Sequence, residues 1–228
     1  MATIWTLAST KGGCGKTTLT AIIANEIVKS GGQVAILDTD KNTPLLRRAD
    51  KGLMPRSVTV HDATDPSGRA LTDKISELLG SKTFVLIDTE GTQNVLTGLA
   101  IQHSSVVVIP MKWSELDTTE ALKVKDFVSI ASQATGRSIP SVLVPSQVDA
   151  AIQSKAQRDI KSKLGTDGAI WVDPPVLNKS AYVAMFDQGR LLQDVEMPKG
   201  GKSLITAQDN AHAVVQAIAR AALEFASP

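Results

Sequence analysis

Short, continuous runs of apolar residues recur along the chain, and most are rich in Val and Ile. Five of these runs cover residues 4–8, 34–37, 84–87, 106–109 and 142–144. A continuous β-branched run, without alternating polar positions, is typical of a strand that is covered on both faces of its sheet. The pattern therefore predicts five buried strands.

Between these runs, apolar positions repeat at helical spacing and predict helices over 17–30, 69–80, 114–136, 152–164 and 205–225. Gly31 and Gly32 provide a natural end for the first helix, and Ser114 with an acid at Asp117 resembles a capping box. Strands that alternate with helices predict an α/β fold with a mostly parallel, helix-covered β-sheet. Because no repeat or long linker divides the chain, we expect a single domain over residues 1–228.

The composition narrows the possible classes of protein. Hydrophobic residues make up 43% and charged residues 21% of the chain, as in an ordinary globular protein. A net charge of +1 and an aromatic content of 4% restrict any nucleic-acid site to a local patch. A single cysteine forms no internal disulfide, and no window reaches the roughly 20 apolar residues of a membrane span. We therefore expect a cytoplasmic protein.

Polar residues follow three of the predicted strands at the point where each strand ends. They read STKGGCGKTT after the first strand, DTDKNTP after the second and DTEGT after the third. Ligands of open parallel sheets bind at the carboxyl ends of the strands, so these three segments are expected to meet at one site.

The first segment has the features of a loop that binds a polyphosphate. Its glycines allow backbone N–H groups to point inward, and the following helix directs its positive end at the same place. Lys16 is expected to reach the β- and γ-phosphates, Thr17 to bind Mg²⁺ and Thr18 to touch the α-phosphate. The complete set of expected nucleotide-binding residues in this loop is Gly12, Gly13, Cys14, Gly15, Lys16, Thr17 and Thr18.

Carboxylates of the other two segments are candidates for the metal and for catalysis. Asp88 closes a hydrophobic strand, the position of an acid that holds Mg²⁺ through water. Asp38 and Asp40 are one residue apart, and alternate residues of an extended segment face the same side. One of them is expected to support the Mg²⁺ shell, and the other to orient the attacking water. The expected metal set is Thr17, Asp38 and Asp88.

One departure from the usual phosphate loop is informative. The pattern G-x-x-x-x-G-K-[ST] requires glycine at position 10, where this chain has Thr10, and the next residue, Lys11, is a second lysine. From the loop alone, Lys11 either points to solvent or reaches a nucleotide held by a second subunit, as an arginine finger does in trans.

The loop KGGCGKTT, the pair DTD and the strand FVLID resemble, in order and spacing, the deviant Walker A ATPases of the ParA/MinD superfamily. The resemblance implies a homodimer formed on ATP binding, in which Lys11 crosses between subunits, and slow, partner-stimulated hydrolysis of ATP. It assigns catalytic roles to Lys11, Lys16 and Asp40, with Asp38 near the Mg²⁺ shell. ATP and Mg²⁺ are the implied cofactors.

Later segments extend the resemblance over nearly the whole chain. VLVPSQ lies where the family places a loop that contacts the base, which implies roles for Pro145 and Ser146. VDPPVLNKSAYVAMFDQGRLLQD is similar to a late segment that helps to enclose the base, which implies a role for Pro175. The sequences DTDKNTP and DTEGT depart from the common family forms and are similar instead to VirC-type ATPases, which assist conjugative DNA transfer.

Among relatives of this kind, a small ParA-type partition protein fits best. This function requires non-specific DNA binding by the dimer, a nucleoid location and a ParB-like or other stimulating partner, with a plasmid, chromosome region or other large cargo. The candidate DNA-binding residues are Lys155, Arg158, Lys161, Arg190, Lys199 and Lys202, and ordinary solvated charge is the alternative interpretation. Arg190 is the first choice because it lies in the late segment.

Two alternative functions remain open at this stage. One is a VirC-type role in DNA transfer, and the other is a MinD-like positioning ATPase that binds membrane. The last predicted helix is rich in alanine with a single arginine, so no stable membrane association is expected.

Overall fold

The computed structural model describes residues 3–81, 83–149, 155–197 and 202–226. Within them, six strands form one sheet in the order β3-β2-β4-β1-β5-β6, and every pairing is parallel. The strands are β1 (Ile4–Leu7), β2 (Val34–Asp38), β3 (Val58–Asp62), β4 (Phe84–Asp88), β5 (Val106–Met111) and β6 (Ser141–Pro145). The predicted α/β class and parallel sheet are confirmed.

Eight α-helices occur in the described part of the chain. They are α1 (Lys16–Lys29), α2 (Pro44–Ala49), α3 (Arg69–Leu78), α4 (Val95–His103), α5 (Glu115–Thr135), α6 (Lys155–Thr166), α7 (Ser180–Gln188) and α8 (Lys202–Ala226). The start of α5 has the expected cap, because the Ser114 side chain accepts a hydrogen bond from the backbone N–H of Asp117. Residues 152–154 of the helix predicted over 152–164 lie outside the described residues.

Helices cover both faces of the sheet, which explains why the strands are apolar without alternation. Leu86 of β4 packs in one core with α1, α7 and α8, whereas its neighbours Val85 and Ile87 pack in a second core with α3 and α4. A third core lies under α5 and α6 and includes Val107 and Leu143. Because β1, β2 and β4 are parallel neighbours, the polar residues at their carboxyl ends lie at one edge of the sheet, where the site forms.

The sequence pattern missed one strand and three α-helices of the described residues. Among the described strands, β3 pairs with β2 alone and is half-buried, so its residues alternate instead of forming a continuous apolar run. Helices α2, α4 and α7 contain six to nine residues, too few for the helical spacing to show clearly. That the whole chain is a single domain stays a prediction.

The last helix packs against the body of the protein. Ala207, Ala211, Val214 and Ile218 of α8 are buried in the core shared with α1. Among the described residues, no helix combines the length and apolar character that a membrane crossing requires.

Candidate functional site

The loop between β1 and α1 adopts the backbone that its glycines suggest. Gly13 has a φ of 77° and Gly15 a φ of 100°, values that side chains disfavour. Gly15 precedes the first residue of α1, so the helix begins at Lys16 and directs its N-terminal N–H groups toward the loop. The geometry is that of an anion-binding turn.

Lys16 lies inside this loop. Its side chain is buried, and its Nζ donates hydrogen bonds to Ser9 Oγ at 2.7 Å and to the carbonyl of Lys11 at 3.4 Å. An ammonium group held among neutral oxygens, without a carboxylate partner in these bonds, is available to an anionic ligand. Ser9 is a site residue that the motif did not identify, because serine at this position carries no specific signal.

The loop is fixed from the end of β6. Ser146 Oγ donates to the carbonyl of Cys14, and Gln147 Nε2 donates to the carbonyl of Gly13 at 2.8 Å. These bonds go to carbonyl groups of the loop and do not involve its N–H groups. Ser146 was expected to bind the cofactor, whereas Gln147 was missed although it directly follows Ser146.

Asp38 and Asp88 stand side by side at the ends of β2 and β4, where they are paired in register. Both are fully buried. Burial, and then the charge of Asp38, raises the pKa of Asp88 to about 7. Among the described residues, Asp88 Oδ2 has no hydrogen-bond partner, while Asp88 Oδ1 accepts from Thr20 at 3.2 Å. The nearby Thr17 hydroxyl acts in the opposite direction and lowers the pKa of Asp88.

This arrangement fits a divalent cation bound together with phosphate oxygens. Within the described ranges, no three His, Cys, Asp or Glu side chains gather into a group that would hold a metal alone. A cation here therefore requires ligands from elsewhere, and Mg²⁺ commonly uses one or two carboxylates with substrate phosphates. The unpartnered Asp88 oxygen and the adjacent Thr17 hydroxyl are suitable ligands.

Asp38 also organises the segment after β2. Its Oδ2 accepts hydrogen bonds from the backbone N–H groups of Leu45, at 2.9 Å, and Leu46, at 3.2 Å, in the first turn of α2. Burial raises the pKa of Asp38, against these backbone bonds, which lower it. Asp40 accepts from the backbone N–H of Asn42 at 2.9 Å, so in this structure its carboxylate closes a turn.

The two departures from the common family sequence contact one another. Lys41 follows Asp40, Glu90 follows Thr89, and Lys41 Nζ lies 3.8 Å from Glu90 Oε2. The pair is weak because the Lys41 side chain is 75% exposed. It nevertheless connects the two loops that follow Asp38 and Asp88.

Gly91 is a further site residue that the sequence did not reveal. A Cβ at Gly91 would lie 2.5 Å from the backbone N of Gly12 and 2.5 Å from the carbonyl carbon of Lys11. The loop after Asp88 therefore rests directly on the backbone of the phosphate loop.

The unusual residues Thr10 and Lys11 both bond to α5. Lys11 Nζ lies 2.6 Å from Asp117 Oδ1, and Thr10 Oγ1 donates to Glu120 Oε2 at 2.5 Å. Burial raises the pKa of Asp117, but hydrogen bonds from Lys11 and Ser114 outweigh it and leave the pKa below its ordinary value. Lys11 is thus not simply solvated, and its side chain is 37% exposed at the surface of the loop.

A cavity of about 300 Å³ adjoins the phosphate loop. Its lining includes Gly15, Thr18, Ser146, Gln147, Val176, Leu177, Asn178, Lys179, Tyr182, Val183, Phe186 and Asp187. The expected residues Pro145 and Pro175 directly precede two lining residues, Ser146 and Val176. The segment from Leu177 to Asp187 forms much of the wall, so the late segment of the sequence faces the phosphate loop.

The candidate DNA-binding residues are in varied environments. Arg158 is exposed on α6, but the Lys161 ammonium lies 4.8 Å from the Trp171 ring centroid and 5.4 Å from that of Trp113. Arg190 forms an ion pair with Glu196, and Lys202 is exposed at the start of α8. Lys199 and the side chain of Lys155 lie outside the described residues.

Comparisons with known proteins identify relatives of this chain. The family model described as VirC1 protein matches residues 1–224. The chain is 30% identical to the protein ParA of Rhizobium radiobacter over 93% of this chain and 94% of that protein. It is 28% identical to the protein VirC1 of Rhizobium rhizogenes over 82% of this chain and 81% of that protein.

The fold also matches solved structures. Apo McdA of Cyanothece aligns with a TM-score of 0.73, covering 96% of this chain and 100% of that one, at 15% sequence identity. An identity this low supports the likeness of fold alone.

Proposed function

The chain belongs to the VirC1 family, within the ParA/MinD superfamily of P-loop ATPases, and from this premise we propose that it is a Mg-ATP-driven, dimerising switch that positions a large cargo on DNA. The observation that carries the proposal is the convergence of Lys16, Asp38 and Asp88 at one edge of the sheet, next to a cavity that extends from the phosphate loop. This arrangement supports binding of a nucleoside triphosphate.

In this proposal the phosphates of ATP occupy the glycine-rich loop and the base occupies the adjoining cavity. Loop N–H groups and Lys16 bind the phosphates, while Ser146 and Gln147 keep the loop in its binding conformation. Thr17, Asp38 and Asp88 would hold Mg²⁺. When bound, Mg²⁺ neutralises charge on the β- and γ-phosphates.

Hydrolysis in this proposal depends on Asp40 and Lys11. Asp40 lies two residues beyond Asp38, in a turn whose hydrogen bonds are local, so a small change in the turn redirects its carboxylate toward water. Lys11 is at the lip of the loop, and in a face-to-face dimer it stabilises the phosphates held by the other subunit. Slow hydrolysis then returns the dimer to monomers, which makes the protein a timed switch.

The relatives named ParA and VirC1 support a role with DNA. We propose that the ATP-bound dimer binds DNA non-specifically in the cytoplasm, over the nucleoid, and that a ParB-like or other partner stimulates hydrolysis. Arg158, Lys163 and Lys202, which are exposed in the structure, are suitable contributors to the DNA surface.

The family match favours a second, related role. The family model that matches nearly the whole chain is VirC1. The resemblance to VirC-type ATPases, noted in the sequence, implies assistance with conjugative DNA transfer. The chemistry at the nucleotide is the same in both roles, and only the cargo differs: a plasmid or chromosome region in partition, and a transferred strand in conjugation.

Co-sedimentation tests the proposal directly. The purified protein is mixed with DNA or with anionic lipid vesicles in the presence of Mg-ATP or Mg-ADP. We expect sedimentation with DNA in Mg-ATP and none with vesicles. Binding to vesicles alone would indicate a membrane-positioning ATPase, and equal binding to DNA in ATP and ADP would contradict a nucleotide-driven switch.

A further inference from the structure

Arg48 of helix α2 is almost fully buried without a carboxylate partner. Its exposed fraction is 3%, and burial lowers its pKa to about 10. Its Nη2 donates to the carbonyl of Arg190, but among the described residues Nε and Nη1 have no hydrogen-bond partner. Burying an incompletely bonded guanidinium opposes folding, and an apolar side chain of similar volume would often be more stable there. Packing alone therefore does not explain this arginine.

The guanidinium lies against the wall of the nucleotide cavity. Its central carbon is 4.9 Å from the centroid of the Phe186 ring, the distance of a cation–π contact. Phe186 belongs to α7 and lines the cavity, whereas Arg48 is not among the residues that line it. Arg48 thus stands behind an aromatic side chain that faces the cavity.

A second contact joins the same two segments. Lys51, just beyond α2, donates from Nζ to the carbonyls of Phe186, at 3.2 Å, and Asp187, at 2.7 Å, at the end of α7. Gly189, with a φ of 67°, ends α7, and a Cβ there would lie 2.7 Å from Lys51 Cδ. The other end of α2 bonds to Asp38 through its first backbone N–H groups. Helix α2 therefore spans from Asp38 to the wall that contains Phe186.

We propose that Arg48 is a positioning residue for the nucleotide, which holds Phe186 in the orientation that packs on the base. The inference rests on the proposed function, because it takes the cavity beside Gly15 and Thr18 as the site of the base. Arg48 acts through Phe186 and makes no contact with the nucleotide itself.

The first test replaces Arg48 with an uncharged side chain of similar length. Arg48→Met should lower ATP affinity about tenfold in calorimetric titration with Mg²⁺, while the melting temperature stays equal or rises. Arg47→Met is the matched control, since Arg47 is the exposed arginine next to it on the same helix. Inorganic tripolyphosphate has no base, so its affinity should change less than about twofold in Arg48→Met. An equal loss for ATP and tripolyphosphate would overturn the proposal.

A double-mutant cycle separates a positioning role from a general structural one. Phe186→Leu removes the ring and should itself weaken ATP binding about tenfold, and adding Arg48→Met should weaken it by less than about twofold more. Independent effects, which multiply to about a hundredfold, would show that Arg48 does not act through Phe186. If the single Arg48→Met variant fails to fold, Phe186→Leu still tests the proposal. Unchanged ATP affinity in Phe186→Leu would show that the ring does not pack on the base, and this would overturn the role proposed for Arg48.

These outcomes are distinct from a failure of the proposed function. A wild-type chain that binds no ATP contradicts the nucleotide site as a whole. A wild-type chain that binds ATP, with an Arg48→Met variant of unchanged affinity, contradicts only the role of Arg48.

Discussion

Lys11 Nζ lies 2.6 Å from Asp117 Oδ1, so the second lysine of the phosphate loop is bonded to a helix of its own chain. If Lys11 must leave this carboxylate to reach the other subunit, the bond opposes dimer formation. Asp117→Asn keeps the helix cap with Ser114 but removes the charge. We expect the ATP concentration at half-maximal dimerisation, measured by analytical ultracentrifugation, to fall about two- to fivefold, the range for a partly exposed ion pair.

Asp126→Asn provides the matched control for this experiment, because Asp126 is exposed on the same helix. It should leave the dimerisation midpoint unchanged. An Asp117→Asn midpoint equal to that of the wild type would show that the ion pair survives in the dimer or has no influence on it.

Gly91→Ala should disable the site by steric conflict. The added Cβ would lie 2.5 Å from the backbone N of Gly12, which forces the loop after Asp88 away from the phosphate loop. We expect ATPase activity to fall at least about tenfold, a loss of about 1.4 kcal/mol in transition-state stabilisation. Gly165→Ala, which meets nothing within 4 Å on helix α6, should retain activity and be equally or more stable. Retained activity in Gly91→Ala would show that the two loops separate easily.

Asp88→Asn should stabilise the nucleotide-free protein while it abolishes Mg-ATP binding. The pKa of Asp88 is raised from 3.8 to about 7, so between these values the folded state binds a proton that the unfolded state releases. The stability that the protonated Asp88 contributes to the folded state is therefore complete below pH 3.8 and is lost as pH rises through 7. In EDTA at pH 8, we expect Asp88→Asn to melt at least about 2 °C above the wild type, and the difference to shrink toward pH 5.

A melting temperature of Asp88→Asn that is lower than that of the wild type at pH 8 would contradict the unfavourable burial of this carboxylate. An equal difference in melting temperature between Asp88→Asn and the wild type at pH 5 and at pH 8 would assign the effect to packing instead of charge.

DNA binding should depend on Arg158 more than on Lys161. Arg158 is exposed, whereas the Lys161 ammonium lies 4.8 Å from the Trp171 ring centroid, and Arg190 is paired with Glu196. Arg158→Ala should weaken DNA binding in Mg-ATP and reduce the salt dependence by about one phosphate contact. Lys161→Ala and Arg190→Ala should have smaller effects. If Arg190→Ala has the largest effect, the Glu196 pair must open when DNA binds.

The sequence was sufficient to predict the fold class and the positions of the phosphate loop and the strand-end carboxylates. Glycines at fixed spacing and carboxylates at strand ends are local signals, and they located Gly15, Lys16, Asp38 and Asp88 at one edge of the sheet. Strand β3 was missed because an edge strand lacks a continuous apolar run.

The contacts of the site depend on residues far apart in the chain, which no local pattern reveals. Asp117 was predicted as the acid of a capping box that starts at Ser114, but its ion pair with Lys11 requires α5 to pass beside the phosphate loop. The segments that contain Gln147 and Phe186 were expected near the base from the resemblance, but the individual contacts of these two residues appear only in the fold. Arg48 resembles any surface arginine in sequence, and only the structure shows that it is buried against α7.

The oligomeric state of Asp40→Ala in Mg-ATP tests the central claim most directly. Asp40 is proposed to orient water and not to bind ATP, so the variant should bind ATP tightly and hydrolyse it far more slowly than the wild type. Analytical ultracentrifugation should then find a stable dimer in Mg-ATP and a monomer in Mg-ADP. A variant that binds ATP tightly and stays monomeric would contradict the ATP-driven dimer.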